Sequence, residues 1–269
     1  MQLLLYCVPA PLNAALGFIL RPQNENGVPF SSMIFLFIWW ELFMVTVEVI
    51  NRVFFIKVEQ YGTGTVVDHN GKQYLVTAKH LLEGKEEVSS IKFYHDEQWK
   101  DLNVQLVGIG RGELDIAVFS SDLLLCRKDL PLPNGTKGIG LSQDVYMLGF
   151  PYKMHTKAGE TLGGRPCPFV KKGILASLFD DGFGVPKLYI DAMNNEGFSG
   201  GPIVFRDTTS RKMQLAGIVS KYRTESESVM CDEGEDTGWS ITYNTGITIG
   251  YDISEAIKII EANPIGFEL

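Results

Sequence analysis

A serine between glycines, Ser199, carries the strongest chemical signal in the sequence, within residues 195–204 (NEGFSGGPIV). A nucleophilic serine needs an exposed hydroxyl, a sharp turn of the chain and backbone N–H groups that converge beside it. Glycine adopts the backbone angles that such a turn requires. The amides of Gly197 and Ser199 can therefore form an oxyanion hole, in which each donor stabilises a transition state by roughly 3–4 kcal/mol. Taken alone, however, this motif is also compatible with a glycine-rich β-turn in which the serine has no catalytic role.

A histidine, His80, follows an apolar run at residues 74–78 (YLVTA) that is typical of a buried strand. A general base needs such a position, on a rigid element yet open to substrate. At neutral pH an imidazole can accept the proton of a serine hydroxyl and later return it. On its own, however, a histidine at this place is more often an ordinary surface residue.

An aspartate, Asp115, begins the otherwise apolar run at residues 114–119 (LDIAVF). A carboxylate among apolar residues is costly to bury unless it has a partner. A histidine N–H would be such a partner, because the carboxylate would then fix the tautomer of the ring and stabilise its charged form. The alternative is an aspartate at the start of a strand that binds the amides of a turn.

The three segments together are more specific than any one of them. They occur in the order His, Asp, Ser, at intervals of 35 and 84 residues. These intervals allow His80 and Asp115 to lie on one lobe and Ser199 on another. The order excludes the α/β-hydrolase arrangement, in which the serine comes first.

From about residue 49 onwards the chain consists of short β-branched and aromatic runs separated by Gly, Pro, Asn and Asp, which predicts an all-β barrel or sandwich. An Asn-Gly pair at 70–71 predicts a hairpin. One helical pattern closes the chain, with Ile253, Ile257 and Ile260 on one face and Asp252 or Ser254 as N-cap.

We predict loops at residues 206–212 and 222–245, and we expect the second to be solvated and acidic. The predicted strands are 52–59, 64–68, 73–77, 90–94, 104–109, 115–119, 144–148, 173–178, 187–191, 202–205, 214–220 and 246–251.

The composition sets limits on partners and cofactors. A formal net charge of −8 without any basic run argues against nucleic acid, which is bound through Lys and Arg. The four cysteines have no CxxC spacing and there are four histidines, so no metal site and no cofactor is expected. Loose cysteine spacing favours reduced thiols, although two long-range disulfides remain open.

The first fifty residues differ from the rest, and three interpretations of them stay open. Residues 33–47 (MIFLFIWWELFMVTV) are strongly apolar, but they fall short of the roughly 20 residues that cross a bilayer. Residues 33–50 could form a membrane anchor or an apolar segment packed on the protein body. Alternatively, the physiological start lies at Met33 or Met44. A membrane-associated or cytoplasmic location is favoured over secretion with disulfides.

The motifs TAKH (77–80), DIAV (115–118) and GFSGGP (197–202) resemble those of chymotrypsin-like serine peptidases, in particular the HtrA/Deg-like proteases. The resemblance runs from about residue 52 to 260, with weaker similarities at 145–151, 172–178, 189–194 and 215–220. It implies two six-stranded antiparallel β-barrels with a short C-terminal helix, divided as an N-terminal segment 1–50, a first barrel 51–135 and a second barrel 136–269. It also implies a serine endopeptidase that cleaves peptides or proteins through an acyl-enzyme, with His80, Asp115 and Ser199 as catalytic triad.

The sequence departs from this family in two respects. Phe198 stands where HtrA-like enzymes commonly have Asn, although that side chain is not a triad member. No segment of the size of a PDZ domain follows residue 262, so the HtrA habits of trimerising and of sensing peptides through a PDZ domain are not expected here. The oligomeric state stays open.

The resemblance places Met193, six residues before Ser199, at the base of the primary specificity pocket. Cleavage after Lys or Arg requires a carboxylate there. A thioether base with small walls instead predicts cleavage after an apolar residue of moderate size, such as Val, Leu, Ala or Met. The backbone at 220–222 is expected to pair with an extended substrate, and Ser220 to support Asp115. Simple core packing of Met193 is the alternative. The predicted walls are Ser220, Lys221, Tyr222, Gly246, Ile247 and Thr248.

A second class of function competes with catalysis. A protease fold can also serve as a binding or scaffolding module with little turnover. The complete triad argues against this, because a non-catalytic copy would be free to lose any of the three residues. The remaining histidines, His69, His95 and His155, lie in polar or turn segments and are not expected to act in catalysis.

Overall fold

The structure, a computed structural model, describes residues 44–157, 162–180, 182, 184–232 and 234–269. The predicted N-terminal segment therefore lies outside the described residues except for its last part. Within the described ranges, no helix has both the length and the apolar character needed to cross a membrane.

The first half of the described chain forms an antiparallel sheet that closes on itself. Its six strands follow the spatial order β3-β2-β1-β4-β5-β6, and pairing of β3 with β6 (Leu75↔Phe119, Val76↔Val118) closes the ring. The short strand β15 (Phe267–Glu268) adds to the free side of β3. The strands are β1 (Val53–Lys57), β2 (Tyr61–His69), β3 (Lys72–Thr77), β4 (Ser90–His95), β5 (Gln98–Ile109) and β6 (Ala117–Ser121).

The second half forms a closed six-stranded barrel with the order β10-β11-β14-β13-β12-β7. A two-stranded sheet of β8 (Thr156–Lys157) and β9 (Pro166–Cys167) accompanies it. The all-β fold with two barrels and a short C-terminal helix is thus confirmed. The barrel strands are β7 (Asp144–Gly149), β10 (Phe169–Asp180), β11 (Pro186–Asp191), β12 (Pro202–Arg206), β13 (Met213–Met230) and β14 (Asp236–Asp252).

Two helices flank these strands among the described residues, α1 (Val47–Ile50) and α2 (Ile253–Ala262). The predicted N-cap of α2 is Asp252, whose carboxylate accepts a hydrogen bond of 2.8 Å from the backbone N–H of Ser254. Ile253 and Ile260 are buried, as the pattern predicts. The helix is therefore fixed by one cap and one apolar face.

Phe198 is fully buried in the core of the second barrel. It packs with Met147, Leu175 and Ile203, and a side chain at Gly149 would collide with its ring. The aromatic residue beside the predicted nucleophile therefore fills the barrel interior, which accounts for the departure from the Asn of the HtrA-like motif.

The segment 222–245 is not the loop that the sequence predicts. It belongs to β13 and β14, which extend beyond the barrel as a two-stranded ribbon with pairs from Thr224↔Asn244 to Met230↔Asp236. The prediction gave too much weight to the acidic residues. The alternating Trp, Ile and Tyr at positions 239, 241 and 243 are typical of a strand.

Candidate active site

His80 lies in a 3₁₀ turn, Lys79–Leu82, directly after the end of β3. The Thr77 hydroxyl holds the strand end by donating to the carbonyl of Thr63 at 2.7 Å. The Lys79 ammonium donates to the carbonyls of Gly110 and Gly112 at 3.1 and 2.8 Å. These contacts tie the histidine turn to the loop that leads to Asp115, while the His80 side chain remains 42% exposed and open to a substrate.

The carboxylate of Asp115 is held by three donors. Its Oδ2 lies 2.7 Å from Nδ1 of His80 and accepts a hydrogen bond of 2.5 Å from the hydroxyl of Ser220. Its Oδ1 accepts the backbone N–H of His80 at 2.8 Å. When Nδ1 of the ring carries the proton, Nε2 of the neutral imidazole is left as the proton acceptor.

Burial and hydrogen bonding act on the pKa of Asp115 in opposite directions. Burial of the carboxyl raises the pKa, but the hydrogen bond and charge of His80, the Ser220 hydroxyl and the His80 amide together lower it below the usual 3.8. The carboxylate is therefore ionised at neutral pH and can stabilise a charged imidazolium beside it.

Ser199 is anchored between the two barrels. Its backbone carbonyl accepts the N–H of Thr63 at 2.9 Å. The hydroxyls of Thr63 and Thr65 donate to the carbonyls of Gly197 and Gly200 at 2.6 and 2.8 Å. Strand β2 of the first barrel thus holds the serine loop of the second through three hydrogen bonds.

The Ser199 hydroxyl shares a cleft with His80. It donates to the carbonyl of Ser220 at 3.0 Å, so the ring of His80 is not its acceptor in this conformation. Catalytic hydrogen bonds are often loose before a substrate binds. The cleft has a volume of about 390 Å³ and is lined by Glu59, Gln60, Tyr61, His80, Leu81, Tyr152, Lys153, Glu196, Gly197 and Ser199.

A turn at Tyr152 is hydrogen-bonded to the segment that precedes Ser199. The N–H of Tyr152 donates to the carbonyl of Glu196 at 2.9 Å, and the N–H of Phe150 donates to that of Gly197 at 3.3 Å. The side chain of Asn195 donates to the Tyr152 hydroxyl at 3.1 Å. Tyr152 itself has a φ of 51°, a strained value for a bulky residue.

With these carbonyls held, two backbone donors beside the serine hydroxyl are free. Within the described part of the chain, neither the N–H of Gly197 nor that of Ser199 has an acceptor. Gly197 has a φ of 100°, and a Cβ atom there would lie 2.1 Å from the carbonyl oxygen of Phe150. The position therefore requires glycine, and the two free amides can receive an oxyanion.

Comparison with known proteins fits this geometry. Residues 62–211, more than half of the chain, match the family described as trypsin-like peptidase domain. The chain belongs to this family. It is accordingly a serine-type endopeptidase. No curated protein sequence matches this trypsin-like peptidase significantly.

Two solved structures share the fold of this trypsin-like peptidase. One is a serine-to-alanine mutant of Rv3671c from M. tuberculosis in an inactive form, with 16% identity, a TM-score of 0.50, and coverage of 80% of this chain and 88% of that one. The other is a serine-to-alanine variant of the HtrA-type protease AlgW with a tripeptide, with 19% identity and a TM-score of 0.50. The match covers 80% of this chain but only 60% of AlgW. Because both identities are below 25%, the similarity to these two structures shows a shared fold alone.

Most of the residues predicted to form a specificity pocket lie around one segment of the trypsin-like peptidase, 192–194. The N–H of Ala192 donates to the carbonyl of Gly246 at 2.9 Å, and the buried Thr248 donates to the carbonyl of Ala192 at 2.8 Å. Tyr222 pairs with Thr248 across β13 and β14, with Lys221 and Ile249 as the neighbouring pair. The Met193 side chain is 51% exposed, so it does not lie in the core.

Sequence reasoning missed three residues that position this site. Lys171 on β10 donates to the carbonyl of Met193 at 2.7 Å and also to the side chain of Asn195, and burial lowers the pKa of its ammonium. Thr63 and Tyr152 hold the serine loop as described above. None of the three belongs to a recognisable motif, because each acts through contacts with residues distant in sequence, including at least one backbone carbonyl.

The lowered pKa of Asp115 predicts a pH-dependent contribution to stability. A carboxyl whose pKa is lower in the folded than in the unfolded state stabilises the fold above its unfolded pKa, and this stabilisation is lost as the pH falls through the folded value. We expect the difference in unfolding free energy between the natural chain and Asp115→Asn to be constant above about pH 5 and to shrink as the pH falls below the unfolded pKa near 3.8. Urea unfolding at several pH values measures it.

The exposed aspartate Asp101 offers a matched control, since its only described partner is Lys92 at the surface. Asp101→Asn should change stability little at any pH, because surface ion pairs contribute about 0–1 kcal/mol. A difference for Asp115→Asn that stays constant or grows on acidification would contradict the predicted linkage.

Proposed function

We propose that the chain hydrolyses peptide bonds with Ser199 as nucleophile, His80 as general base and acid, and Asp115 as the group that orients His80. The observation that carries this proposal is the Asp115 carboxylate, which binds both the ring and the backbone N–H of His80 at the edge of the cleft that contains Ser199. The partly buried, ionised carboxylate binds Nδ1 of the ring and so leaves Nε2 to act as the base.

The proposed reaction has two halves. The Ser199 oxygen attacks the scissile carbonyl carbon while Nε2 of His80 takes the hydroxyl proton, and the resulting oxyanion is bound by the amides of Gly197 and Ser199. The C–N bond then breaks as His80 returns the proton to the leaving amine. A water molecule attacks the acyl-enzyme with His80 again as base, which releases the acid and restores the serine.

A protease fold used as a silent binding or scaffolding module is the competing function. Leaving an amide without an acceptor costs free energy wherever water does not reach it. A binding module gains nothing from two such amides, whereas a hydrolase uses them to bind an oxyanion. The N–H groups of Phe150 and Tyr152 bind the carbonyls of Gly197 and Glu196 and so keep these carbonyls away from the two amides. This arrangement favours the catalytic proposal. Activity measurements separate the two functions.

Labelling with a fluorophosphonate, which reacts with activated serines, tests the triad. We expect the natural chain to be labelled, Ser199→Ala to lose labelling completely, and His80→Ala to be labelled far more slowly because its hydroxyl lacks a base. Loss of either residue should lower kcat on a peptide by roughly 10⁴-fold or more. His69→Ala serves as control, because His69 lies at the end of β2 outside the cleft lining, and this variant should behave like the natural chain. A folded natural chain without labelling or turnover would support the binding module instead.

The oxyanion hole is tested at Gly197. Gly197→Ala places a methyl group against the carbonyl of Phe150 and displaces the loop, so we expect kcat to fall by roughly 10²-fold or more. Gly71→Ala is the matched control, because Gly71 also has a positive φ, of 72°, but has open space around it in the hairpin turn far along β2 and β3. Equal activity of the two variants would contradict the assignment of the Gly197 amide.

We further propose that the enzyme prefers a medium apolar residue before the cleaved bond. The support is the lack of a carboxylate at Met193 and the presence of the Lys171 ammonium beside that residue, which repels Lys and Arg side chains. Two of the three Lys171 donors are engaged by Met193 and Asn195, so the ammonium offers an acidic substrate side chain at most one further hydrogen bond.

A peptide library that varies the residue before the cut tests this preference. We expect Val, Leu, Ala and Met to be cleaved fastest, and Met193→Asp to add cleavage after Lys and Arg without abolishing turnover. Dominant cleavage after Lys or Arg by the natural chain would overturn the proposal. Dominant cleavage after Asp or Glu would also overturn it, and Lys171→Met would then identify the ammonium as the cause by removing that preference.

A further inference from the structure

The ribbon formed by residues 221–246 exposes both of its faces to solvent. Between residues 223 and 243 the described side chains of both strands are exposed or partly exposed. An isolated two-stranded hairpin is marginally stable in water. Trp239 is nevertheless 75% exposed and Ile241 61% exposed. Large apolar side chains on an unsupported ribbon indicate an interaction surface.

The two faces of the ribbon differ in chemistry, because residues directly opposite in a ladder share a face. The pairs Glu225↔Tyr243 and Glu227↔Ile241 combine carboxylates with apolar groups, and the Tyr243 hydroxyl donates to Glu227 at 2.8 Å. The opposite face carries small hydroxyl residues, such as the hydrogen-bonded pair Ser226 and Thr242. Only the first face is suited to bind a partner that is both apolar and charged.

The sign of that partner's charge follows from the sequence of the ribbon. Residues 221–246 contain six carboxylates against two basic residues, Lys221 and Arg223. Arg223 is already paired with Glu225, with distances of 2.5 and 2.8 Å to its carboxylate oxygen. The ribbon therefore attracts a segment that contains Lys or Arg together with apolar residues.

One edge of the ribbon leads directly from the active site. The pairing of β12 with β13 ends at Pro202↔Ile218, and its last backbone bonds join Gly200 and Gly201 to Val219. Beyond Val219, the edge of β13 that faces away from β14 has no strand partner among the described residues. The edge begins at Ser220, whose carbonyl accepts the Ser199 hydroxyl. Unpaired strand edges bind extended peptides by adding a strand.

We propose that this ribbon is an exosite that captures an extended, basic part of the substrate on the acyl side of the cleaved bond. The proposal rests on the proposed function of Ser199 and extends it to the substrate class. His80 must protonate the leaving amine, so the cleft beside it, which contains no ribbon residue, receives the leaving side. The acyl side then continues along β13.

The length of the edge specifies which substrate positions are selected. Glu225 and Glu227 follow Ser220 by five and seven residues, which corresponds to roughly 17 and 23 Å at about 3.3 Å per residue. With residue-for-residue pairing, Lys or Arg is favoured about five to eight positions before the cut. Substrates too short to reach these positions gain nothing from the ribbon.

Matched peptides with one cleavable core test the exosite. The core is used alone and with upstream extensions that are basic, neutral or acidic. We expect the basic extension to raise kcat/KM about fivefold or more over the neutral one at low salt, mainly through KM, and the advantage to fade in high salt because exposed charges are screened. The double variant Glu225→Gln/Glu227→Gln should lose most of this advantage while cleaving the bare core at the natural rate. Glu86→Gln/Glu87→Gln, with the same change of charge on exposed residues of the first barrel, should keep it.

The outcomes distinguish this proposal from the proposed catalytic function. If no peptide is cleaved, the extended peptides are instead titrated onto the Ser199→Ala chain by fluorescence anisotropy, and tighter binding of the basic one still supports the exosite. Equal cleavage or binding of basic and acidic extensions overturns it. Self-association that Trp239→Ser abolishes, without any effect of the basic extension, also overturns it and assigns the ribbon to a second copy of the chain.

Discussion

The three hydrogen bonds from strand β2 to the serine loop are the constraint on which the site depends. A loop that keeps two amides free for an oxyanion cannot satisfy its carbonyls within a regular ladder, so other groups must hold them. Thr63 and Thr65 supply two hydroxyls and one amide from the first barrel. The segment that carries the proposed nucleophile in one barrel is therefore given its shape by a strand of the other.

Ser220 connects this loop to the acid–base pair. Its hydroxyl binds Asp115, its carbonyl accepts the Ser199 hydroxyl, and the free edge of β13 starts from it. Ser220 thus contacts two members of the proposed triad and begins the edge along which we propose that the substrate binds. Binding of a substrate along β13 is therefore coupled to the orientation of the proposed catalytic groups through this one residue. Without substrate, the Ser199 hydroxyl donates its hydrogen bond to the carbonyl of Ser220 instead of to the ring of His80.

Local signals in the sequence were sufficient for much of this structure. The short strands, the hairpin at 70–71 and the Asp252 cap follow from turn residues and side-chain periodicity, which act over a few positions. The segments around His80, Asp115 and Ser199 were recognisable because each combines an apolar strand with a polar residue at its end. Lys171, Thr63 and Tyr152 were not, since each binds at least one backbone carbonyl distant in sequence, which any residue type could have supplied. The ribbon was missed because its carboxylates suggested solvation, although its alternation of polar and apolar residues was that of a strand.

The buried position of Phe198 links the chemistry to the interior of the second barrel. Its ring packs with Met147 and Ile203 and closes over Gly149, while its backbone lies between the two amides that face the cleft. A substitution that loosens this interior would therefore displace those amides, even if the barrel stayed folded. The rate of the enzyme would therefore depend on the order of its core as well as on the groups that line the cleft.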